Sequence, residues 1–271
     1  MLDFVRWNLS KSARRAAVGT MFFISCPKSG RTWVRVFYFA YLAKLTGQEF
    51  SLEPGHYPGR RIMRFSHERW EHRQTADWRE FLRGRHLLPA QARRENTIVL
   101  MARDPRDVVV SLYFHLTRRK YNGPLKPQNV AEMLRNRKQG IAEVIDVMNG
   151  WLAEWHGRPG FKLIRYEDCQ KDPAGEFRSL LEFLGLAPVD EAAFAHALEF
   201  SRFNNMQAGE AAGKFKEDIL SAGDVTDPDS FKARRGKVGG FRDYFHADDL
   251  AYAAEQMRRL DPRFGYAGDG G

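Results

Sequence analysis

The chain has 271 residues, 43% of them hydrophobic and 13% aromatic, which is enough for one large domain with a packed core. Lys and Arg number 43 against 34 Asp and Glu, a formal charge of +9, which favours acidic partners such as phosphates, sulfates, nucleic acid or anionic lipid without choosing among them. Two cysteines are too few for a disulfide framework or a structural zinc site. The sequence has neither the roughly 18-residue apolar run of a membrane span nor the apolar segment of a signal peptide, so we expect a cytoplasmic protein.

Residues 1–17 are predicted to form an N-terminal helical extension that precedes a single domain at residues 18–265. This extension mixes apolar with basic residues, which is the composition of an amphipathic helix. Two interpretations stay open: the helix makes a weak contact with a membrane surface, or it packs on the domain. The apolar residues are Leu2, Phe4, Val5, Trp7 and Leu9, and the basic ones are Lys11, Arg14 and Arg15.

Short apolar runs alternate with helical patterns along the domain. Strands are predicted in VGTMFFIS from Val18, RIMRF from Arg61, NTIVLMAR from Asn96 and FKLIRYED from Phe161. Helices are predicted in TWVRVFYFAYLAKLTG, in PRDVVVSLYFHLTRRK and at residues 141–155. Buried strands that alternate with helices are typical of a parallel sheet covered on both faces. The sequence therefore predicts the α/β class, with a central parallel sheet flanked by helices.

Two polar segments interrupt this alternation. Residues 49–60 are rich in Pro and Gly, and residues 207–240 are polar, charged and contain several glycines. Segments of this length are either functional lids or disordered stretches. As lids, both would close over ligands.

The stretch FISCPKSGRTW, at residues 23–33, departs from the usual phosphate-binding loop. The triphosphate loop G-x-x-x-x-G-K-[ST] opens on a glycine and carries its lysine just before the Ser or Thr. Here Ser25 takes the place of that glycine, Arg31 takes the place of the lysine, and Lys28 lies inside the loop. We predict a strand, a tight turn at 27–30 and a helix from Arg31 onward. Anions bind at such strand-to-helix turns, so we expect a phosphate-like group here, with an ordinary turn as the alternative.

A second strand-to-helix turn lies in MARDPRDVVVSLYFH. Arg103 stands at the end of the strand, and Ser111 follows about two turns into the next helix. Asp104 or Asp107 would cap that helix or pair with Arg103, but an arginine beside a serine also suits a second phosphate. Two anion loops on adjacent strands would bind a ligand that is phosphorylated at two separated points.

Four motifs in order resemble those of the sulfotransferases that use 3′-phosphoadenosine-5′-phosphosulfate (PAPS). PKSGRTW resembles the PKSGTTW loop of that family, and ARDPRDVVVSLYFH resembles its second phosphate motif. FKLIRYEDCQKDP is similar to its YEDxxxDP strand end, and RRGKVGGFRDYF is similar to its C-terminal RKGxxGDWKxxF, although GGF lacks the family's Asp. The matches run from about residue 22 to residue 245, and four ordered motifs are far more specific than one glycine loop. The resemblance implies a P-loop-like nucleotide-binding fold.

Carried over residue by residue, the resemblance implies a binding site for PAPS. The loop would surround the 5′-phosphosulfate, with its lysine at the bridging oxygen, through Lys28, Ser29, Gly30, Arg31 and Thr32. The residues that would hold the 3′-phosphate are Arg103, Ser111, Arg234, Arg235 and Gly236. The residues that would lie against the adenine are Trp33, Tyr166, Ser201, Phe203 and Met206. For Trp33, Phe203 and Met206, plain core packing is the alternative.

The residue that would accept the proton is placed by the same resemblance. The family usually carries a histidine in a KTH motif at the end of its second strand, and RIMRFSHERW puts His67 there. Phe65 stands where the family has Lys, so one supporting cation is missing unless Arg64 or Arg31 supplies it. We accordingly predict His67 as the general base and Lys28 as the catalytic cation. Arg31 replaces the family's usual Thr, and it would either add a guanidinium to the phosphosulfate or point toward an acidic acceptor.

The predicted activity is the transfer of a sulfuryl group from PAPS to an acceptor hydroxyl or amine, without a metal. Residues 47–60 and 207–232 are expected to shape the acceptor pocket, and a small molecule, a lipid or a carbohydrate is compatible with them. No nucleic-acid partner is expected, and the sequence indicates no oligomeric state. Two alternatives stay open: a non-catalytic polyanion-binding module, and a P-loop kinase. The kinase is disfavoured because the usual loop and a clearly placed carboxylate motif for Mg²⁺ are missing.

Overall fold

A computed structural model describes residues 20–57, 60, 62–119, 126–213, 215 and 224–266 of the chain. The predicted N-terminal extension at residues 1–17 lies outside this described part, and so does part of the predicted lid at residues 207–240. None of the helices in the described ranges has the length and apolar character required to cross a membrane.

The centre of the protein is a four-stranded sheet in which all neighbouring strands run parallel. The strands are β1 (Met21–Ser25), β2 (Met63–Ser66), β3 (Thr97–Ala102) and β4 (Phe161–Arg165), in the spatial order β2-β1-β3-β4. This confirms the predicted parallel sheet. The register places the last residues of the strands side by side, because Ser25 pairs with Met101 and Ala102 pairs with Arg165. The loops that follow the four strands therefore start from one edge of the sheet, where ligands of open α/β sheets bind.

Twelve α-helices are described around this sheet. In chain order they are α1 (Arg31–Thr46), α2 (Glu68–Arg73), α3 (Trp78–Leu82), α4 (Ala90–Glu95), α5 (Pro105–Arg118), α6 (Val130–Arg135), α7 (Ile141–Trp155), α8 (Tyr166–Lys171), α9 (Pro173–Phe183), α10 (Glu191–Phe200), α11 (Phe203–Ala211) and α12 (Ala247–Met257). Short 3-10 helices occur at Pro54–His56, Pro228–Ser230, Gly240–Asp243 and Pro262–Phe264.

Two hydrophobic cores cover the two faces of the sheet. Met21 and Phe23 of β1 pack into one core, together with α1, α9 and α10. Phe22 and Ile24 point to the opposite face and pack into the other core, together with α5, α7 and α12. Successive side chains of a strand point to opposite faces, so a continuous apolar run such as MFFI serves both cores at once.

One predicted strand ends earlier than its sequence suggested. The stretch FKLIRYED was predicted as a strand, but β4 ends at Arg165 and Tyr166 begins the helix α8. Glu167 and Asp168 lie in the first turn of α8, where carboxylates interact favourably with the positive end of the helix dipole. Tyr166 is thereby held at the edge of the sheet where the ligand loops begin.

Candidate active site

The first anion loop has the predicted order of strand, turn and helix. β1 ends at Ser25, and Gly30 caps α1 with a left-handed backbone (φ 96°). A Cβ on Gly30 would lie 2.6 Å from a ring carbon of Tyr166, so glycine is required by space as well as by conformation. Lys28 also has a left-handed backbone (φ 68°), which is uncommon for a residue with a side chain and is typical of functional turns. The first N–H groups of α1 have no acceptor within the helix and so are available to an anion.

Arg103 connects the first loop to the C-terminal motif. Its Nη1 donates to the carbonyl oxygen of Lys28 at 2.9 Å, and its Nη2 donates to that of Lys237 at 3.3 Å. Its guanidinium carbon lies 4.4 Å from the ring centre of Tyr166, a cation–π contact. Arg103, which belongs to the second motif, therefore contacts residues of the other three sequence motifs, whatever ligand it also contacts.

Asp107 fixes the C-terminal motif on the helix that follows β3. Its two carboxylate oxygens accept the backbone N–H groups of Gly239 at 2.8 Å and Phe241 at 2.9 Å. Asp104, by contrast, caps α5 through the N–H of Arg106 and pairs with the side chain of Arg106. The sequence left the roles of these two aspartates open. In the structure Asp104 caps the helix and Asp107 binds the C-terminal motif.

The residues of the C-terminal motif that are predicted to bind the 3′-phosphate lie at one wall of the site. Arg234 donates to Asp229 at 3.0 Å and to the Tyr244 hydroxyl at 2.9 Å, and Arg235 donates to the same hydroxyl at 2.9 Å. Gly236 is left-handed (φ 60°), and a Cβ there would lie 3.1 Å from the ring of Phe203. The C-terminal motif thus meets the predicted adenine-side helix α11 at a glycine.

A single cavity of about 720 Å³ collects these groups. All but one of the predicted site residues line it: Lys28, Gly30, Arg31, Thr32, Trp33, His67, Arg103, Ser111, Tyr166, Ser201, Phe203, Met206, Arg234, Arg235 and Gly236. The exception is Ser29, whose side chain is buried beneath the turn. Trp33 lines the cavity and also packs edge-on against Phe177, with ring centres 5.0 Å apart, so a packing role and a binding role coexist.

His67 lies at the start of α2 with one ring nitrogen fixed. Nδ1 lies 2.6 Å from the carbonyl oxygen of Ser25, and because a carbonyl only accepts, Nδ1 carries the hydrogen. The neutral ring then has its lone pair on Nε2, which is the tautomer that a base requires. Burial, followed by the charge of Arg31, lowers the pKa of His67 well below its usual value, although the bond to Ser25 opposes this shift. His67 is therefore neutral at ordinary pH.

Phe65, which stands where the family has Lys, packs against another aromatic ring and the side chain of Arg35. Its ring packs on Phe23, with the ring centres 5.3 Å apart, and the guanidinium carbon of Arg35 lies 5.7 Å from its ring centre. Arg64, one of the two replacements left open by the sequence, has an exposed side chain and is not among the described residues that line the cavity.

Lys232 is the cation that sequence reasoning missed. It lines the cavity, and burial, followed by the charges of Arg119 and Arg31, lowers its pKa to about 8. Burial also lowers the pKa of Lys28 well below its usual value, with Lys232 as the largest contribution from a charge. Both lysines line the same cavity. The only signal in the sequence was a basic residue two positions before the Arg234–Gly236 motif.

The first segment predicted to shape the acceptor pocket, residues 47–60, contributes to a different cavity. Residues 49–53 and His56 line a second cavity of about 920 Å³, together with residues of α10 and α11 and with Phe215. None of these residues lines the first cavity in the described part of the chain. The second segment contributes Lys232 to the first cavity. A second histidine, His115, also lines that cavity, and burial together with Lys28 lowers its pKa to about 3.

Comparison with known proteins gives a consistent result. The sulfotransferase domain family matches residues 19–261. Sulfotransferase 2B1 of Rattus norvegicus is 30% identical over 152 residues, which cover 55% of this chain and 42% of the rat protein, so the chain spans less than half the length of this relative. Flavonol 3-sulfotransferase of Flaveria bidentis is 23% identical over 285 residues, covering 96% of this chain and 86% of the plant protein. The crystal structure of mouse sulfotransferase SULT7A1 complexed with PAP has a TM-score of 0.60 at 19% identity, covering 90% of this chain and 86% of that one, and shows a shared fold.

Proposed function

Because the chain belongs to the sulfotransferase domain family, we propose that it transfers a sulfuryl group from PAPS to the hydroxyl or amine of an acceptor. The observation that carries this proposal is that one cavity is lined by two groups of anion donors from different parts of the chain. One group is the loop of Lys28 with the N-terminus of α1, and the other is Arg103, Ser111 and Arg234–Gly236. This donor set fits a nucleotide with an anionic group at its 5′ end and a phosphate at its 3′ position.

Apolar residues of the same cavity suit the nucleoside. Trp33, Tyr166, Phe203 and Met206 give the cavity an apolar wall. Flat aromatic side chains of this kind stack on a base, and the mouse structural neighbour is complexed with PAP, adenosine 3′,5′-bisphosphate. We assign the adenine to this wall by the same proposal.

The transfer itself needs a proton acceptor and a cation at the leaving oxygen. PAPS supplies a sulfuryl group that is already activated by its bond to phosphate. The acceptor oxygen or nitrogen forms the new bond to sulfur, the bond from sulfur to the bridging oxygen breaks, and adenosine 3′,5′-bisphosphate leaves. His67 takes the acceptor's proton on Nε2, and Lys28 stabilises the negative charge that develops on the bridging oxygen.

We expect adenosine 3′,5′-bisphosphate to bind much more tightly than AMP or ATP. AMP lacks the 3′-phosphate that Arg103, Ser111 and Arg234 would hold, and each charge-assisted hydrogen bond contributes about 1.5–3 kcal/mol. Losing that phosphate should weaken binding at least about tenfold, since 1.4 kcal/mol is a factor of ten. Isothermal calorimetry with the three nucleotides measures this difference directly. The variant Ser111→Ala should reduce the preference for the bisphosphate without changing the affinity for AMP.

Equal affinities for AMP and the bisphosphate would contradict the proposal. The polyanion-binding module predicts a different pattern, with affinities that fall steeply with salt and no nucleotide preference. A kinase would favour ATP with Mg²⁺ over the bisphosphate. The same titrations, repeated at two salt concentrations and with Mg²⁺, therefore separate the three functions.

A further inference from the structure

Two cations besides Lys28 line the cavity that His67 lines: Arg31, in the first turn of α1, and Lys232. Glu71 lines the same cavity. Burial is the main cause that lowers the pKa of Arg31 to about 10. Among the charges that lower the pKa of His67, that of Arg31 contributes most, ahead of Lys232 and Lys28.

Arg31 has no direct counter-ion among the described residues. No hydrogen bond or ion pair of its guanidinium to a described residue is present, and Glu71 lies beyond ion-pair distance. Glu71 instead has His86 at 3.7 Å. A partly buried guanidinium that faces a cavity without a partner is costly unless a ligand supplies the anion.

Lys232 is presented to the same cavity by a buried carboxylate. Glu210 accepts the backbone N–H groups of Lys232 at 2.7 Å and Ala233 at 3.1 Å, which fixes this part of the chain. The charge of Glu210 is already shared with Arg119, whose Nη1 lies 3.5 Å from the carboxylate. The ammonium of Lys232 makes no hydrogen bond or ion pair with a described residue and faces the cavity. Glu210 therefore positions Lys232 without neutralising it directly.

We propose that Arg31 and Lys232 form a subsite for an anionic group of the acceptor, a carboxylate or a phosphate carried close to the hydroxyl or amine that His67 deprotonates. This inference rests on the proposed function, and it names the class of acceptor. Both cations line the same cavity as His67, and neither side chain makes a hydrogen bond or ion pair with a described residue. An oxyanion placed between a guanidinium and an ammonium receives charge-assisted hydrogen bonds from both.

Such a subsite would also strengthen the base when the right acceptor is present. Arg31 and Lys232 both lower the pKa of His67. An anion bound between them offsets their field and raises that pKa toward its ordinary value, which makes Nε2 a better proton acceptor. A neutral acceptor gives no such gain. Discrimination between acidic and neutral acceptors should therefore appear in kcat as well as in KM.

The first experiment measures binding to the protein loaded with adenosine 3′,5′-bisphosphate. Benzoate and phenyl phosphate are the anionic probes, and benzamide is the neutral probe of similar shape. We expect both anions to bind at least about tenfold more tightly than benzamide, the effect of one charge-assisted hydrogen bond. The ratio between the two anions decides between carboxylate and phosphate. If benzamide bound as tightly as both anions, the proposed subsite would be wrong, whereas the assignment of the nucleotide site would be unaffected.

The second experiment compares acceptors in matched pairs, 3-hydroxybenzoate and 4-hydroxyphenylacetate against their methyl esters, with labelled PAPS. The acids should have the higher kcat/KM, and Arg31→Thr and Lys232→Met should each remove most of that advantage, measured as the ratio of the acid rate to the ester rate of the same variant. Arg202→Met is the matched control, since Arg202 lines the same cavity but is largely exposed and pairs with Glu199 at 2.9 Å. This variant should keep the preference for acids.

The pH dependence gives an independent readout. Burial and the charges of Arg119, Arg31 and Arg35, opposed by that of Glu210, lower the pKa of Lys232 to about 8, so its side chain loses its proton as the pH rises through that value. The preference for anionic probes should be complete below that pH and decline above it, whereas Lys232→Arg should retain it. If Arg31→Thr and Lys232→Met instead slow acids and esters equally and weaken bisphosphate binding, both residues serve the nucleotide and the subsite is wrong. If the protein showed no preference for the bisphosphate over AMP, the proposed function itself would be wrong.

Discussion

Lys28→Ala is expected to slow sulfuryl transfer by roughly 10²–10³-fold while weakening the binding of adenosine 3′,5′-bisphosphate much less. Negative charge develops on the bridging oxygen only as the sulfuryl group leaves, so a cation aimed at that oxygen contributes most in the transition state. The 5′ group keeps its contacts with the backbone N–H groups of α1 when the ammonium is removed. Single-turnover rates with labelled PAPS, set beside calorimetric affinities, measure the two effects separately.

Two companion variants separate the charge of Lys28 from its backbone. The residue has φ 68°, a conformation that alanine also adopts with strain, so Lys28→Gly removes the ammonium and relaxes the turn together. If Gly and Ala are equally slow, the ammonium accounts for the loss. Lys237→Ala removes an equal charge from an exposed lysine paired with Asp243, and it should have a small effect. A fall in turnover only in proportion to nucleotide affinity would make Lys28 a binding residue without a catalytic role.

The sheet and the two loops were predictable because their signals are local. The first four residues of β1, MFFI, are all apolar, which only a strand buried on both faces requires, and a turn with Pro and Gly follows the strand. The parallel sheet then places the ends of all strands at one edge, so the motifs that follow β1, β2, β3 and β4 had to converge there. The resemblance of four motifs to one family supplied the roles that geometry alone leaves open.

The parts that could not be predicted depend on contacts distant in the sequence. Lys232 reaches the cavity because Glu210 holds the backbone at residues 232–233, and no periodic pattern marks either residue. Asp104 and Asp107 have similar sequence surroundings, yet only Asp107 binds the C-terminal motif more than 130 positions later. Each of these outcomes is set by tertiary packing, which local propensity does not encode.

His67→Ala is expected to reduce transfer to a hydroxyl of high pKa by roughly 10²–10⁴-fold while leaving bisphosphate binding nearly intact. The structure adds a control that the sequence does not offer. His67→Asn can keep an N–H donor for the carbonyl oxygen of Ser25, which His67 Nδ1 holds at 2.6 Å, but it provides no basic nitrogen. We expect Asn and Ala to be equally slow, with Asn the more stable of the two by about 1 kcal/mol, the contribution of one hydrogen bond.

The pH profile of the intact enzyme should have its acidic limb below the ordinary histidine range. Burial and the charges of Arg31, Lys232 and Lys28 lower the pKa of His67 well below 6.5, so the imidazole stays neutral until the pH falls beneath that value. The rate is then constant from neutral pH down to about 6.5 and falls only as His67 takes up a proton at lower pH. The loss caused by His67→Ala should shrink for acidic phenols, because they need less help in losing a proton.

The competing assignment is His115, the other histidine that lines the cavity. Burial and the charges of Lys28, Lys232 and Arg119 lower its pKa to about 3, and the pKa of His67 is lowered in the same direction, so basicity alone does not separate the two histidines. The geometry favours His67, because the bond of its Nδ1 to the carbonyl oxygen of Ser25 leaves the lone pair on Nε2. His115→Ala should therefore slow transfer far less than His67→Ala does. If the order were reversed, or if His67→Asn folded, bound nucleotide and turned over its acceptor at a near-normal rate, the proton would have to leave by another residue. If His67→Ala lost stability and nucleotide binding together while Asn restored both activity and stability, the histidine would serve the fold through Ser25 and not the reaction.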